Sequence, residues 1–502
     1  MSSSLHTRLL TTCLVLSWAP AAFAGIDNTI NEAFRPIATA LVTFVFFSVP
    51  IGESEFPLIV VWLIAGALYF TIRLRLINIR GFRHAVRIVM GKEDKGARAP
   101  GEVSHFQALT TAVSGTVGVG NITHVAVAIS IGGPGAAFWL MVAGFLGMAS
   151  KFVECTLGVK YRQMNADGTV SGGPMFYLDK GLTLKGLPRL GKALGWYYAI
   201  CVILGCFGIG CMLQANQAYV QFVGISGGEY SPFATRGWLF GGILAVLVAF
   251  VIIGGIKSIA RVTSKLVPFM ALLYVGTALV IIGANYAAIP GAFAAIVTNA
   301  FSPDGVTGGV IAIVILGFRR AAFSNEAGIG SSAIAHSAAK TEEPLTQGFV
   351  AMLEPFIDTV IICTITALVI ILTVYDPAML NDGAISGVEL TSSAFASVIP
   401  WFPYVLAVVV MLFAYSTMIS WSYYGLEGFI YIFGPKRWAK MTFNTIFCLF
   451  VIVGCTTQLD AVLDFSDAMV FAMALANVTG LYLLVPEIRQ ELDQYWRRVT
   501  EN

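Results

Sequence analysis

Long apolar runs separated by short polar segments dominate the chain. They lie near residues 57–76, 106–130, 134–159, 193–222, 237–256, 266–286, 308–335, 346–374, 401–432, 441–458 and 462–485. A helix needs about 20 apolar residues to cross a bilayer core, so these runs predict about 11 transmembrane helices and an all-α polytopic membrane protein. The stretch Ile37–Pro50 is shorter and is expected at the outer interface. Residues 1–24 read as a signal peptide: His6 and Arg8, an apolar run Leu9–Trp18, then Ala22-Phe23-Ala24 before Gly25. Removing it would leave the mature N-terminus outside.

Composition agrees and excludes other classes. The 502 residues are 57% hydrophobic and 12% charged, against about 25% charged in an average soluble domain. So few charges cannot wet the surfaces of several soluble domains. The net charge of +2 gives no nucleic-acid footprint. The eight cysteines form no CxxC and no zinc spacing, and read as packing residues. Orientation follows from the loops. With the N-terminus outside and an odd number of spans, the chain ends inside. Then 24 of the 30 Lys and Arg fall on the inner side, notably in 73–98 and 160–192, while Arg35 and Arg236 lie outside. That bias obeys the positive-inside rule and suits a plasma membrane, most simply a bacterial inner membrane. The domain reading is an extracytoplasmic segment 25–56, a transporter domain 57–490 and a cytoplasmic tail 486–502.

Two spans are interrupted. The second carries Val113-Ser114-Gly115-Thr116-Val117-Gly118-Val119-Gly120-Asn121, and the seventh carries Phe323-Ser324-Asn325-Glu326-Ala327-Gly328-Ile329-Gly330-Ser331. Glycines at this density let the backbone leave the helix, which a membrane tolerates only around a protein-lined cavity; close helix packing is the alternative. Glu326 costs roughly 2.5–3.5 kcal/mol at a helix centre, so it must be paired or hydrated. Arg319 and Arg320 are the candidates. The two breaks are five spans apart and therefore run in opposite directions. Two five-helix units, 106–286 and 308–485, form an inverted repeat, with 57–76 as an extra helix. Secondary transporters bind substrate where two such helices meet. On span nine, Ser416 or Thr417 and Trp421 are one turn apart and can share a face.

Other classes fit less well. Gly224-Ile225-Ser226-Gly227 has the GxSG pattern of an intramembrane protease, but it falls in an outer loop. Of the five histidines, only His124 sits well inside a span. A passive channel does not call for a Trp lid over closely spaced glycines.

At this point the sequence is recognisable. Gly118-Val119-Gly120-Asn121-Ile122, Gly132-Gly133-Pro134-Gly135-Ala136-Ala137-Phe138-Trp139, Gly172-Gly173-Pro174-Met175 and Phe323 to Ser331 resemble the alanine or glycine:cation symporter family. The resemblance implies the leucine-transporter fold and import of small neutral amino acids, alanine or glycine, coupled to Na⁺. It implies that the N–H groups at Gly118 and Gly120 meet the substrate carboxylate. Asn121, the Thr116 carbonyl and Ser324 would hold a cation beside it. The carbonyls of Ser114 and Val117 with the hydroxyls of Ser416 and Thr417 would form a second sodium site. Thr417, Ile329 and Trp421 would bound the substrate, and Phe207 would close the pocket. The chain departs from the family pattern at Thr123-His124, at Arg319-Arg320-Ala321 and at Glu343. His124 is either a neutral core residue or a titrating group, which leaves H⁺ coupling and a broader amino-acid range as alternatives.

Overall fold

A bilayer core offers no water to unpaired N–H and C=O groups, so apolar runs in it fold as helices. The computed structural model describes residues 35–36, 39–51, 54–92, 99–302, 309–376, 387–456 and 459–500. The expected leader, 1–24, lies outside the described residues. Residues 39–45 are helical and lead into a hairpin, β1 (Ser48–Ile51) with β2 (Ser54–Pro57).

The main helices follow in chain order. They begin with α1 (Leu58–Arg73), α2 (His105–Thr116), α3 (Gly120–Lys160) and α4 (Pro174–Leu184). Next come α5 (Pro188–Ile225), α6 (Gly237–Ile252), α7 (Gly255–Ala284) and α8 (Ile289–Phe301). The second half contains α9 (Gly309–Asn325), α10 (Ser331–Ser337), α11 (Pro344–Thr373) and α12 (Val388–Ala396). It closes with α13 (Phe402–Phe433), α14 (Arg437–Gly454) and α15 (Leu459–Thr500).

Among the described residues, six helices are long and apolar enough to cross a membrane: α3, α5, α7, α11, α13 and the part of α15 from Asp464 to Val499. The eleven expected spans map onto more pieces than that for physical reasons. α3 carries two spans, joined at Gly133, whose φ of 63° and following Pro134 turn the chain. Only glycine takes that conformation without strain. The second and seventh spans are each split, into α2 with the first part of α3 and into α9 with α10. Spans one and five are short helices of 16 residues.

The expected tail 486–502 is helical as far as it is described: α15 continues through Pro486 to Thr500. Its last turns pack on the loop side of the bundle, with Arg498 on Glu343 (2.7 Å) and Glu491 on Lys160 (2.5 Å). Those contacts hold a helix that a polar sequence after a proline would not predict.

α3 lies against α9, α10 and α11, while α13 lies against α2, α5 and α7. The two helix breaks sit between these groups.

Candidate functional site

The first break is built from both ends. Ser104 and Gln107 form a capping box that starts α2. α2 stops at Thr116, Val117 is extended (ψ 93°), and α3 begins at Gly120. The second break spans 326–330, where Gly328 and Gly330 take φ of 89° and 88°. Glu326 also sits at φ 54°, a conformation that costs a non-glycine residue of order 1–3 kcal/mol. Two donors hold it there. The Ser331 hydroxyl donates to Oε2, and the Trp421 indole N–H donates to Oε1 at 3.2 Å.

These partners correct an expectation, because Glu326 does not pair with Arg319 or Arg320. Arg319 instead reaches Asp467 on α15 at 2.8 Å and lies 4.3 Å from the ring centroid of Phe46. Both arginines precede the break on α9, and the left-handed turn at Glu326 aims its carboxylate the other way, toward α13.

Between the breaks lies a polar knot. Asn121 Nδ2 donates to Asp358 Oδ1 at 2.5 Å and to Ser324 Oγ at 3.1 Å. The Ser324 and Thr359 hydroxyls each donate to Asp358 Oδ2 at 2.7 Å. Asp358 is fully buried, and these hydrogen-bonding partners are all neutral. It sits in a widened, π-helical stretch of α11, Phe356–Cys363, a feature frequent at functional sites. Asn121 Oδ1 accepts from Gly118 N–H at 3.0 Å. That N–H, expected to face a substrate carboxylate, is therefore satisfied within the chain in this state.

A second cluster joins α2 to α13. The Ser114 hydroxyl donates to the Ser416 carbonyl (2.6 Å), Thr417 Oγ1 donates to the Ser114 carbonyl (3.0 Å), and Ser420 Oγ donates to Ser114 Oγ (3.0 Å). The Ser416 hydroxyl donates to the Phe413 carbonyl at 3.0 Å. Ser114, Ser416 and Thr417 are thus together, as expected. Val117 is buried just beyond them, and the Thr116 hydroxyl bonds back to its own helix.

Glycine is required at position 118: a Cβ there would stand 2.7 Å from Thr417 Oγ1 and 3.5 Å from Gln214 Oε1. Gln214, on α5, donates to the Ile209 carbonyl, while its buried Oε1 has no hydrogen-bond partner. A buried acceptor without a partner beside the first break calls for an explanation, and a bound ligand is one.

The remaining expected residues divide. Ile329 is fully buried in the second break. Trp421 is fully buried against Gly210, where the α5 helix also widens (Gly208–Met212). Gly120 lies beside His124, whose ring packs edge-on against Phe323 at 4.0 Å with both nitrogens unpartnered. Phe207 is not brought to the knot: its ring stacks on Phe450 at 4.5 Å and on Phe443. The α5 register turns it toward α14, which no motif in the sequence could fix.

Below the breaks, toward the Lys- and Arg-rich end, lies a network missed in the sequence. Lys151 of α3, fully buried, is 3.3 Å from Glu354 of α11 and donates to Ser332 of α10 at 2.5 Å. His336 bonds Glu354 through Nε2 and Gln347 through Nδ1, and Gln347 reaches His105 at 2.6 Å. Outside the spans, the Arg162 guanidinium donates to four carbonyls, those of Ser337, Ala339, Pro100 and Thr341, at 2.6–2.9 Å. It ties the segment entering α2 to the segment leaving α10. The signal was present as charges at Lys151, Glu354 and Asp358 inside apolar runs, but none of these lies near a glycine-rich break.

Comparison with known proteins places this geometry. A sequence profile described as the Sodium:alanine symporter family matches residues 45–502. The sodium/alanine symporter AgcS of Methanococcus maripaludis is 38% identical, over 85% of this chain and 92% of that protein. The probable sodium/glutamine symporter GlnT of Bacillus subtilis is 32% identical, over 88% of each chain. Among solved structures, MhsT in complex with L-phenylalanine aligns with a TM-score of 0.54 at 17% identity, covering 75% of this chain and 88% of that one. That likeness shows a leucine-transporter fold. The GxSG serine, Ser226, pairs its hydroxyl with that of Ser231 at 2.6 Å. The chain belongs to the sodium:alanine symporter family and is a multi-pass, cation-coupled amino-acid symporter, not an enzyme.

Proposed function

We propose that the protein imports a small neutral amino acid, alanine or glycine, together with Na⁺ by alternating access. Asp358 carries this reading: a buried carboxylate with only neutral hydrogen-bonding partners, set between two helix breaks, has the charge and hard oxygens that an alkali cation needs. Asn121 and Ser324 would share that cation. Ser114, Val117, Ser416 and Thr417 would hold a second one. Gln214 Oε1 and the Thr417 hydroxyl face the space beside Gly118 and would receive a substrate ammonium. Once Asn121 turns to the ion, the N–H groups of Gly118 and Gly120 would bind the carboxylate. Trp421 and Ile329 would bound a small apolar side chain.

The names of the relatives, alanine for one and glutamine for another, set the substrate panel. Uptake of alanine, glycine and glutamine into proteoliposomes is measured with Na⁺ outside, or with K⁺ in its place. Uptake of alanine or glycine only with Na⁺ supports the proposal, and equal uptake in K⁺ overturns it. A proton-coupled reading is favoured by the unpartnered ring nitrogens of His124. It requires uptake in K⁺ driven by a pH gradient and lost in His124→Gln. The proposed orientation puts the N-terminus outside and the Arg162 face in the cytoplasm.

A further inference from the structure

Away from both breaks, the seam between α6 and α14 carries a groove of about 700 Å³ on the outer wall of the bundle. Its α6 wall is Gly242, Ala245 and Ala249, and its α14 wall includes Thr445 and Cys448. Small side chains on both walls account for its depth: α6 and α14 touch along the seam, where the Cys448 thiol reaches the Ala245 carbonyl at 3.8 Å, and the groove lies over that seam. The groove runs from Gly242 to Ile253, eleven residues along α6, or roughly 16 Å at 1.5 Å per residue. That is about half of a hydrocarbon core of roughly 30 Å, the depth of one leaflet.

The two ends differ in chemistry. The apolar end points to mid-membrane. The other end is closed by Arg437, Lys440 and Asn444, which lie on one face of α14 at spacings of three and four. Trp438 beside them is half exposed and meets Phe433 edge-on, as aromatic residues do at the headgroup level. Among the described residues Arg437 has no acidic partner, while the Lys440 amine lies 3.8 Å from the exposed Asp167 and within electrostatic reach of the buried Glu427. Two cations, of which Arg437 has no acidic partner among the described residues, therefore stand at the headgroup level, over a slot one acyl chain long.

We infer that this groove binds an anionic phospholipid of the leaflet on the basic side, with one acyl chain between α6 and α14 and the phosphate on Arg437, Lys440 and Asn444. A zwitterionic lipid offers the same chain but would bring its own ammonium against the two cations. The anionic headgroup is therefore preferred.

Native mass spectrometry of the detergent-purified full chain tests this with phosphatidylglycerol and phosphatidylcholine as probes. Wild type is expected to retain phosphatidylglycerol over phosphatidylcholine, and R437Q/K440Q to lose that preference by roughly 5-fold for each cation removed. Ala249→Leu, which fills the slot, is expected to lower retention of both lipids. Equal retention of the two lipids by wild type, or unchanged phosphatidylglycerol retention in R437Q/K440Q, overturns the inference. So does a dimer that disappears in Ala249→Leu, which would make the groove a contact between copies. Should Ala249→Leu not fold, the two exposed cations still decide the matter.

Discussion

Asn121 and Asp358 are 237 residues apart in sequence, and their side chains meet at 2.5 Å in the gap between the two broken helices. The contact joins the first half of the molecule to the second at the place where neither helix continues. Asp358→Asn keeps the volume and removes the charge. If a cation is held here, losing one charged ligand costs about 1.5–3 kcal/mol, or roughly 10- to 100-fold in apparent Na⁺ affinity. Alanine uptake at graded Na⁺ concentration reads this directly. A variant with wild-type sodium dependence would remove Asp358 from the ion path.

Trp421 and Glu326 make a separate prediction. The indole donates one of the two hydrogen bonds that hold the left-handed Glu326. Trp421→Phe preserves a ring against Gly210 but leaves Oε1 without its donor. An unsatisfied charged acceptor costs about 1–3 kcal/mol or more, so the second break should loosen and uptake should fall by about tenfold. Glu326→Gln in the Trp421→Phe background should add less than it does alone, since the two share the indole bond and only the Ser331 bond remains to be weakened. Additive losses in the double variant would show that the two residues act separately.

Glycine density in spans two and seven announced both breaks, and the apolar runs announced the helices, because each follows from composition over a window. The partners of the charges were not legible in this way. Arg319 and Glu326 are neighbours in sequence, so pairing them was the economical reading, yet a single left-handed residue turns one away from the other. Asp358, Lys151 and Glu354 each sit in a run that otherwise reads as an ordinary span. Only the packing of α3 against α10 and α11 brings them to Asn121, Ser324 and Ser332. Phe207 was equally hard to place, because no motif fixes its register; its ring stacks on Phe450 of α14.

The Lys151–Glu354 pair should matter for stability more than for transport chemistry. Both side chains have no exposure, and the ammonium also holds Ser332. Removing one partner of a buried pair leaves an uncompensated charge and typically costs about 3–5 kcal/mol. Lys151→Met should therefore lower the melting temperature in detergent sharply. Lys151→Met with Glu354→Gln should recover part of the loss by leaving no bare carboxylate. A double variant less stable than Lys151→Met alone would contradict a simple charge pair.

Arg162 offers the sharpest test of how the basic side opens. Burial lowers its pKa from the ordinary value, but a guanidinium stays protonated at any physiological pH. It therefore remains a five-donor fork. Four of its contacts are carbonyls on two segments, Pro100 before α2 and Ser337, Ala339 and Thr341 after α10. The same segments pair directly, with Lys340 N–H donating to the Val103 carbonyl at 2.8 Å. If α2 and α10 part to release substrate, all of these bonds must break, and Arg162 sets much of the cost. Arg162→Ala should shift the population toward the open form by about tenfold or more, given roughly 1.5–3 kcal/mol for bonds to a charged group. Lys cannot span both segments with a compact ammonium, so Arg162→Lys should resemble Arg162→Ala. A Ser337→Cys reporter at this fully buried position reads the change as a faster reaction with a maleimide added on the basic side. Unchanged labelling in Arg162→Ala would mean that the direct pairing of the two segments is enough to keep this end shut.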